Sequence, residues 1–227
     1  MSVKRKILAA AATLTMAGGL SAAGALSASA ATPSCGHSCI DIFSYEFGHH
    51  SSPNFVLDVY RGTTRAGTPI ILYRSANNDA AEDFTVSFQG TVNDFYQAGL
   101  VSAALDLHYS HFAAFEFEYS PNGADSGLCV GVGSTAGNQT PVALEPCGQS
   151  SKTVWVVDSY DTIRGGYVPL INGSDTNFSH PYVLHYPGNG YPTDLPRPQL
   201  NTYELQKYSN NSVYDNELWG ANYGVLR

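Results

Sequence analysis

The segment VLDV at residues 56–59, followed after a Gly-containing turn by TPIILY at residues 68–73, is the stretch that decides the fold of this chain. Nearly the same pattern returns as CVGV at residues 129–132 and TPVALE at residues 140–145. A repeat of this kind is typical of a fold assembled from similar units that each supply part of one core. The sequence therefore predicts one structural unit that is used more than once.

A fainter third copy runs from YVLH at residues 182–185 through LNTY at 200–203 to NELW at 216–219. In every copy short β-branched or alternating apolar blocks are separated by clusters of Gly, Asn, Ser and Pro, which is the pattern of half-buried strands. Further blocks of this kind precede or follow each pair, so four strands per copy are predicted. The copies differ in their polar residues, and those differences are where function is sought.

Twelve short strands in three units favour a closed all-β architecture with pseudo-threefold symmetry, because three units can bury a core that one cannot. The segment 94–111 is the one stretch with a possible helical face, and Gly99 interrupts it. One short helix and a strand-rich insert both remain open there. Long loops are expected between the copies of a single domain at residues 31–227, with repeats at about 38–95, 113–160 and 165–226.

The first 30 residues have the three parts of a secretory signal. A basic segment at residues 4–6 precedes an Ala- and Leu-rich apolar stretch, and the small residues Ala-Ser-Ala stand at positions 28–30. A membrane anchor is the weaker interpretation, because Thr, Ser and Gly dilute the apolar stretch. The sequence predicts a secreted, extracellular protein without membrane insertion.

The charge of the remaining chain restricts its partners. Removal of residues 1–30 leaves eight Lys and Arg against 19 Asp and Glu, a net charge near −11. Such a chain repels nucleic-acid phosphates and anionic lipid surfaces. Nucleic-acid binding is therefore not expected, and neutral ligands or cationic partners are favoured.

Four cysteines in a secreted chain predict two disulfides, for which three pairings exist. Cys129 and Cys147 flank the second copy, whereas the equivalent positions of the first copy hold Val and Ser. The joint loss of both cysteines is what a bonded pair predicts. Cys35 and Cys39 would then close a small loop, and a metal site is the weaker interpretation because no second Cys/His pair has ligand spacing.

The second copy, from Leu128 to Cys147 with Trp155 beyond it, resembles the ricin-type lectin family. Copies in that family look like Cys-Leu-Asp-Val, then Gly-Thr-Pro-Val-Gln-Leu-Trp-x-Cys, then Asn-Gln-x-Trp, and NELW at residues 216–219 resembles the last motif. Three matches in order cover about residues 40–226. The resemblance implies a β-trefoil fold, with the closing tryptophans in the shared interior.

The family also implies how a sugar would be bound. An Asp of the second strand and an Asn or Gln near the closing motif hydrogen-bond sugar hydroxyls, and an aromatic ring stacks on the pyranose. Such a pair suits a neutral ligand, because a carboxylate accepts from hydroxyls while a ring covers the apolar C–H face.

In the first copy the resemblance gives Asp58 as the hydroxyl acceptor and Tyr73 as the stacking ring. Asp83, or its neighbour Glu82, stands near the place of the family's Asn-Gln pair. Ile71 occupies a position that is commonly polar, so this pocket is expected to be incomplete. The alternative is a turn-capping Asp beside a Tyr at the rim.

In the third copy Asn201, Tyr203 and Asn216 match the family's positions, and His185 replaces the Asp. Imidazole can donate or accept one hydrogen bond, but it lacks the two oxygens of a carboxylate. The second copy has Gly and Glu in place of the acid and the ring. No site is expected there, and its disulfide is expected to be structural.

No motif of a serine hydrolase, a zinc hydrolase or a phosphate-binding loop is present. Glu116 and Glu118 lie on the same face of a predicted strand, a spacing that could suit hydrolysis by paired carboxylates, but we interpret them as a solvent-facing strand edge. His108 and His111 lack a third metal ligand and are interpreted as surface residues. A non-catalytic protein without cofactor or metal is predicted.

The leading hypothesis is a secreted, lectin-like protein that binds a neutral saccharide weakly through the first copy, the third copy or both. The alternative is a protein-interaction module in which acidic loops, such as residues 158–175, engage a secreted partner such as a protease. A small secreted hydrolase that uses Glu116 or His108 is the least favoured hypothesis.

Overall fold

The computed structural model describes residues 35, 39–48, 55–76, 78–160, 166–188 and 198–222. The predicted secretory signal at residues 1–30 lies outside the described residues. Within the described ranges the chain forms mostly short strands, as the sequence predicts, together with three short α-helices.

The strands are β1 (Ile42–Ser44), β2 (Phe55–Val59), β3 (Ile70–Arg74), β4 (Phe84–Thr91), β5 (Ala113–Tyr119), β6 (Leu128–Val132), β7 (Thr140–Pro146), β8 (Trp155–Val157), β9 (Leu170–Asn172), β10 (Tyr182–His185), β11 (Asn201–Glu204) and β12 (Trp219–Ala221). The helices are α1 (Tyr45–Gly48), α2 (Val92–Gln97) and α3 (Ala103–Tyr109).

The strand pairings recur three times. β2–β3, β6–β7 and β10–β11 form antiparallel hairpins, and β1, β5 and β9 each pair with the first strand of the hairpin that follows. The repeats are joined by the pairs β4–β5, β8–β9 and β12–β1. The chain is therefore a β-trefoil of three four-stranded repeats, and the predicted fold class is confirmed.

The hairpin registers identify equivalent positions in the three repeats. The pairs that occupy the same point of each hairpin are Asp58–Ile71, Gly131–Ala143 and His185–Asn201. The residues before them in the chain, Leu57, Val130 and Leu184, all point into the main hydrophobic core. Because side chains alternate along a strand, the three candidate site positions face away from that core.

A buried aromatic residue closes each repeat. Trp155 and Trp219 are fully buried, as predicted. Their indole N–H groups donate to the carbonyl oxygens of Val130, at 2.9 Å, and Leu184, at 2.8 Å. Phe84 follows its 3-10 turn with the same spacing and has no N–H to donate. Each Trp therefore fixes the strand residue that immediately precedes a candidate site position.

Both predicted disulfides are formed, Cys129–Cys147 and Cys35–Cys39. The first joins the open ends of β6 and β7. A bridge that closes a loop of this length contributes about 3 kcal/mol, mainly by restricting the unfolded chain. The β6–β7 hairpin thereby has a covalent support that the β2–β3 and β10–β11 hairpins lack.

The segment between the first two repeats forms the two helices α2 and α3. The sequence leaves open one short helix or a strand-rich insert there. Thr91 and Asp94 build a capping box at the start of α2, and Ser102 caps α3. Gly99, at φ +76°, lies between them because this left-handed backbone suits a residue without Cβ. No helix among the described residues is long and apolar enough to cross a membrane.

The interpretation of Glu116 and Glu118 as a solvent-facing edge is wrong, because both side chains are buried. Glu116 accepts hydrogen bonds from Gly148 N, at 3.0 Å, and from the Thr153 hydroxyl, at 2.5 Å. Glu118 accepts one from Gly127 N at 2.6 Å. A buried carboxylate needs such donors, so these residues hold the turns of the second repeat in place.

Candidate functional site

The third repeat contains an open cleft of about 530 Å³. His185 enters it from the end of β10, and Asn201 and Tyr203 enter it from β11. Asn216 enters from the 3-10 turn that precedes β12. All four residues predicted for the third copy thus lie in one place, although they come from three separate elements.

The polar side chains of the cleft form a continuous hydrogen-bonded chain. His185 Nδ1 lies 2.8 Å from Asn201 Oδ1, and Asn216 Nδ2 lies 3.0 Å from His185 Nε2. Asn216 Nδ2 also donates to the carbonyl oxygen of Tyr186 at 3.1 Å. Because Asn216 presents a donor, Nε2 must accept, and the proton of the neutral ring lies on Nδ1, where it is donated to Asn201.

Electrostatics favour the same protonation state. Burial lowers the pKa of His185, and the hydrogen bond to Asn201 only partly opposes this. Behind the cleft, burial raises the pKa of Glu217 to about 8, against a smaller opposite effect of the Gln206 N–H group. The imidazole and this carboxyl group are therefore both neutral near pH 7.

Tyr203 supplies the aromatic surface of the cleft. Its ring centroid lies 5.0 Å from that of His185, with the two rings inclined by 31°. The ring is half-buried, so one part packs on the protein and another remains accessible. A ring beside amide groups can cover an apolar ligand face and hydrogen-bond hydroxyls at its edge.

Gln139, Gln206 and Tyr214 also line the cleft, and sequence reasoning missed them. Gln139 belongs to the turn before β7, in the second repeat, and its backbone N–H donates to Thr202 O at 2.8 Å. No signal within the third copy could reveal a residue brought in by packing between repeats. Tyr214 stands two residues before Asn216, and its proximity to the closing motif was an available signal.

The first repeat has a different environment at the equivalent position. Asp58 is buried, and its carboxylate lies close to those of Asp79 and Glu82: one oxygen from each of the three residues lies within 4.8 Å of the other two. Glu82 accepts hydrogen bonds from Ala76 N and from the Ser75 hydroxyl. Burial, assisted by the charges of Asp58 and Asp79, outweighs those bonds and raises the pKa of Glu82 to about 8. Such a group is close enough to share a proton or a cation.

Other predicted residues of the first repeat are not brought together as in the third. Ile71 is buried and pairs with Gln199 across a β-bridge, and Tyr73 is half-buried on the same strand. Asp83 is fully buried and accepts a hydrogen bond from Asn122 N at 2.9 Å. Its place after the 3-10 turn corresponds to that of Leu218, a core residue, so Asp83 does not face a ligand beside Tyr73.

The second repeat has no space for a side chain at this position. A Cβ atom placed on Gly131 would lie 2.9 Å from both Lys152 O and Thr153 Cγ2. These atoms belong to the 3-10 turn that packs over β6. A side chain such as that of His185 could therefore not be placed here unless the turn moved.

No protein-family model matches the chain, and no curated protein is similar to it in sequence. Solved structures are similar to it in fold. A designed 3-fold symmetric protein, ThreeFoil, matches with TM-score 0.52 and 16% identity, over 81% of this chain and 97% of its own. An exo-beta-1,3-galactanase from Clostridium thermocellum matches with TM-score 0.51 and 12% identity, over 82% of this chain. This chain spans 30% of the galactanase chain.

The hemolytic lectin CEL-III is a more distant match, with TM-score 0.45 and 14% identity, over 78% of this chain and 28% of its own. At these identities the matches concern the fold alone. The match to ThreeFoil agrees with the threefold repeat of strand pairings described above.

Proposed function

We propose that this protein is a secreted, non-catalytic carbohydrate-binding protein whose site is the third-repeat cleft. The observation that carries the proposal is the pairing of Tyr203 with a neutral chain of His185 and two asparagines. None of the described residues that line the cleft is Asp, Glu, Lys or Arg. The described lining therefore offers no formal charge to a charged ligand. The polar groups of a neutral ligand can hydrogen-bond to the amide and imidazole groups.

A sugar ring has the surfaces that this cleft complements. One pyranose face presents C–H groups, which pack on an aromatic ring, and the ring edge presents hydroxyls that both donate and accept. Both His185 nitrogens are already engaged by amide groups, and the pKa of the imidazole is lowered. The cleft is therefore suited to binding more than to proton transfer.

An extracellular location is part of the proposal. Two disulfides are formed among the described residues, and disulfides persist in oxidising compartments. The apolar, signal-like segment at residues 1–30 and the acidic net charge support the same location and a neutral ligand.

A glycan array followed by isothermal titration with the best neutral glycan tests the proposal. Tyr203→Ala is expected to weaken binding by about tenfold or more, because it removes the stacking surface. Tyr73→Ala is the matched control, since the same residue type stands at the equivalent register position of the first repeat. It should leave affinity unchanged.

Tyr203→Phe separates stacking from hydrogen bonding, and it should retain most of the affinity if the ring face is what matters. An array without any sugar-dependent signal would refute the proposal. Binding that is lost in Tyr73→Ala and kept in Tyr203→Ala would instead place the site in the first repeat.

A further inference from the structure

A second concave region, of about 520 Å³, lies outside the third-repeat cleft. One wall comes from the helical segment between the first two repeats, through Tyr109 and Phe112. The opposite side comes from Phe178 and from Leu205. We refer to this region as the aromatic pocket. Its first wall depends on the insertion between the first two repeats, which carries α3.

Four aromatic rings line the aromatic pocket. Phe112 lies 4.8 Å from Tyr160 and 5.2 Å from Tyr109 between ring centroids, and Tyr109 lies 6.1 Å from Phe178. The rings are inclined to one another by 53° to 67°, so they form a cup and not a flat wall. Tyr160 is 85% exposed, and the other three are half-buried. A concave group of accessible rings is a typical mark of a binding site.

The polar groups of the aromatic pocket are of both signs. Asp158 is buried, and one of its oxygens accepts a hydrogen bond from Tyr160 N at 3.1 Å. Lys207 and His180 also line the pocket, and His180 Nδ1 lies 3.8 Å from Glu204 Oε1. The pocket lining thus contains both hydrogen-bond donors and hydrogen-bond acceptors, and the formal charges of Asp158 and Lys207 cancel. This combination complements a neutral ligand with hydroxyl groups better than an ion.

A single chain segment separates the two concave regions. Leu205 and Lys207 line the aromatic pocket, whereas Gln206 between them lines the third-repeat cleft. Side chains alternate across an extended segment, so neighbouring residues serve opposite sides. The N–H group of Gln206 donates to Glu217 Oε2 at 2.8 Å, which fixes this segment between the two regions.

The geometry points to the aromatic pocket as a second saccharide-binding site, which makes this domain bivalent for neutral glycans; the inference rests on the carbohydrate binding proposed above. A pyranose packs its C–H face on one ring while the inclined neighbours cover its edge. Asp158 and Lys207 meet its hydroxyls. Two sites on one domain increase the apparent affinity for a surface that displays many glycans, without any new contact at either site.

Among the described lining residues each region contains one histidine that reports on its occupancy, His180 in the aromatic pocket and His185 in the third-repeat cleft. The protein is labelled with ¹⁵N-histidine, and the imidazole signals are assigned with His180→Gln and His185→Gln. Lactose, cellobiose and maltose are the probes. Saturable shifts of both signals are expected with at least one of these sugars.

Tyr160→Ala is the main test variant. Its side chain is exposed, so the fold does not depend on it. It should weaken the saturation of the His180 signal by about tenfold and leave that of His185 unchanged. Phe178→Ala should act in the same way. Tyr96→Ala, an exposed Tyr on α2 outside the pocket, is the matched control and should change neither signal.

The outcomes separate this inference from the proposed function. Shifts of His185 alone would overturn the second site and leave the first in place. Shifts of His180 alone would support the aromatic pocket as a sugar site, and they would refute both the third-repeat cleft as a sugar site and the bivalence of the domain. If neither histidine signal shifts with any of the three sugars, both sugar-binding sites are refuted. A His180 signal that responds to tetramethylammonium chloride and to none of the sugars would overturn the saccharide assignment of the aromatic pocket.

Discussion

The first and third repeats carry a polar side chain at the same register position, yet they surround it with opposite chemistry. Asp58 lies buried in a group of carboxylates, one of which, Glu82, has a pKa raised to about 8. His185 is hydrogen-bonded on both nitrogens by neutral amides and opens into a cleft. The comparison teaches that a repeated backbone fixes where a side chain points, while its neighbours decide whether that position can bind a ligand.

The largest expected effect concerns the dependence of stability on pH. Burial raises the pKa of both Glu82 and Glu217 from 4.5 to about 8. Each carboxyl group has a higher pKa in the folded protein than in the unfolded chain, so its protonated form stabilises the fold. This stabilisation is fully present below pH 4.5 and is lost as the pH rises through about 8. The free energy of unfolding should therefore fall by about 4 kcal/mol for each of the two groups between pH 5 and pH 9. Urea denaturation at several pH values measures it.

Two single variants sharpen the comparison in this pH range. Glu82→Gln and Glu217→Gln should each flatten the pH profile. The two variants should do so to a similar extent, since both pKa values are raised to about 8, although the charges of Asp58 and Asp79 add to burial only in the first repeat. A pH profile that either variant leaves unchanged would contradict the raised pKa of that carboxyl group.

A second prediction concerns the indole hydrogen bonds. Trp219→Phe leaves the buried carbonyl of Leu184 without its donor, and it should lower the free energy of unfolding by about 2 kcal/mol. Trp155→Phe removes the same bond to Val130 and should cost a similar amount. Because Leu184 immediately precedes His185, sugar affinity should fall only in Trp219→Phe. Chemical denaturation and isothermal titration of both variants check this, and a loss of affinity in Trp155→Phe would contradict it.

The smallest effect is expected for Asp58→Asn. This change removes one negative charge beside Glu82, so the pKa of Glu82 should fall and stability at pH 8 should rise by about 1 kcal/mol. His185→Asn is the control in the third repeat, where no such gain at high pH is expected. Thermal unfolding at pH 5 and pH 8 compares them. A stability gain for Asp58→Asn that is no larger at pH 8 than at pH 5 would rule out the electrostatic explanation.

Sequence reasoning succeeded where a position repeats. The registers of the three hairpins confirm that Asp58, Gly131 and His185 are equivalent, and the closing tryptophans are buried as predicted. The prediction that Glu116 faces solvent was wrong, because an alternating strand pattern does not indicate which face of the strand the next turn covers. Sequence reasoning placed Asp83 beside a ligand, whereas the 3-10 turn before it directs that side chain inward.

The sequence by itself predicted the threefold fold and the pairing of Cys129 with Cys147, since strand periodicity and repeated motifs are properties of the chain alone. Its resemblance to the ricin-type lectin family implied the four residues that the third-repeat cleft brings together. Only the tertiary structure decided the protonation of His185, the carboxylate group around Asp58, the contribution of Gln139 and the existence of the aromatic pocket. Those features depend on burial and on contacts between residues far apart in the chain, which periodicity does not encode.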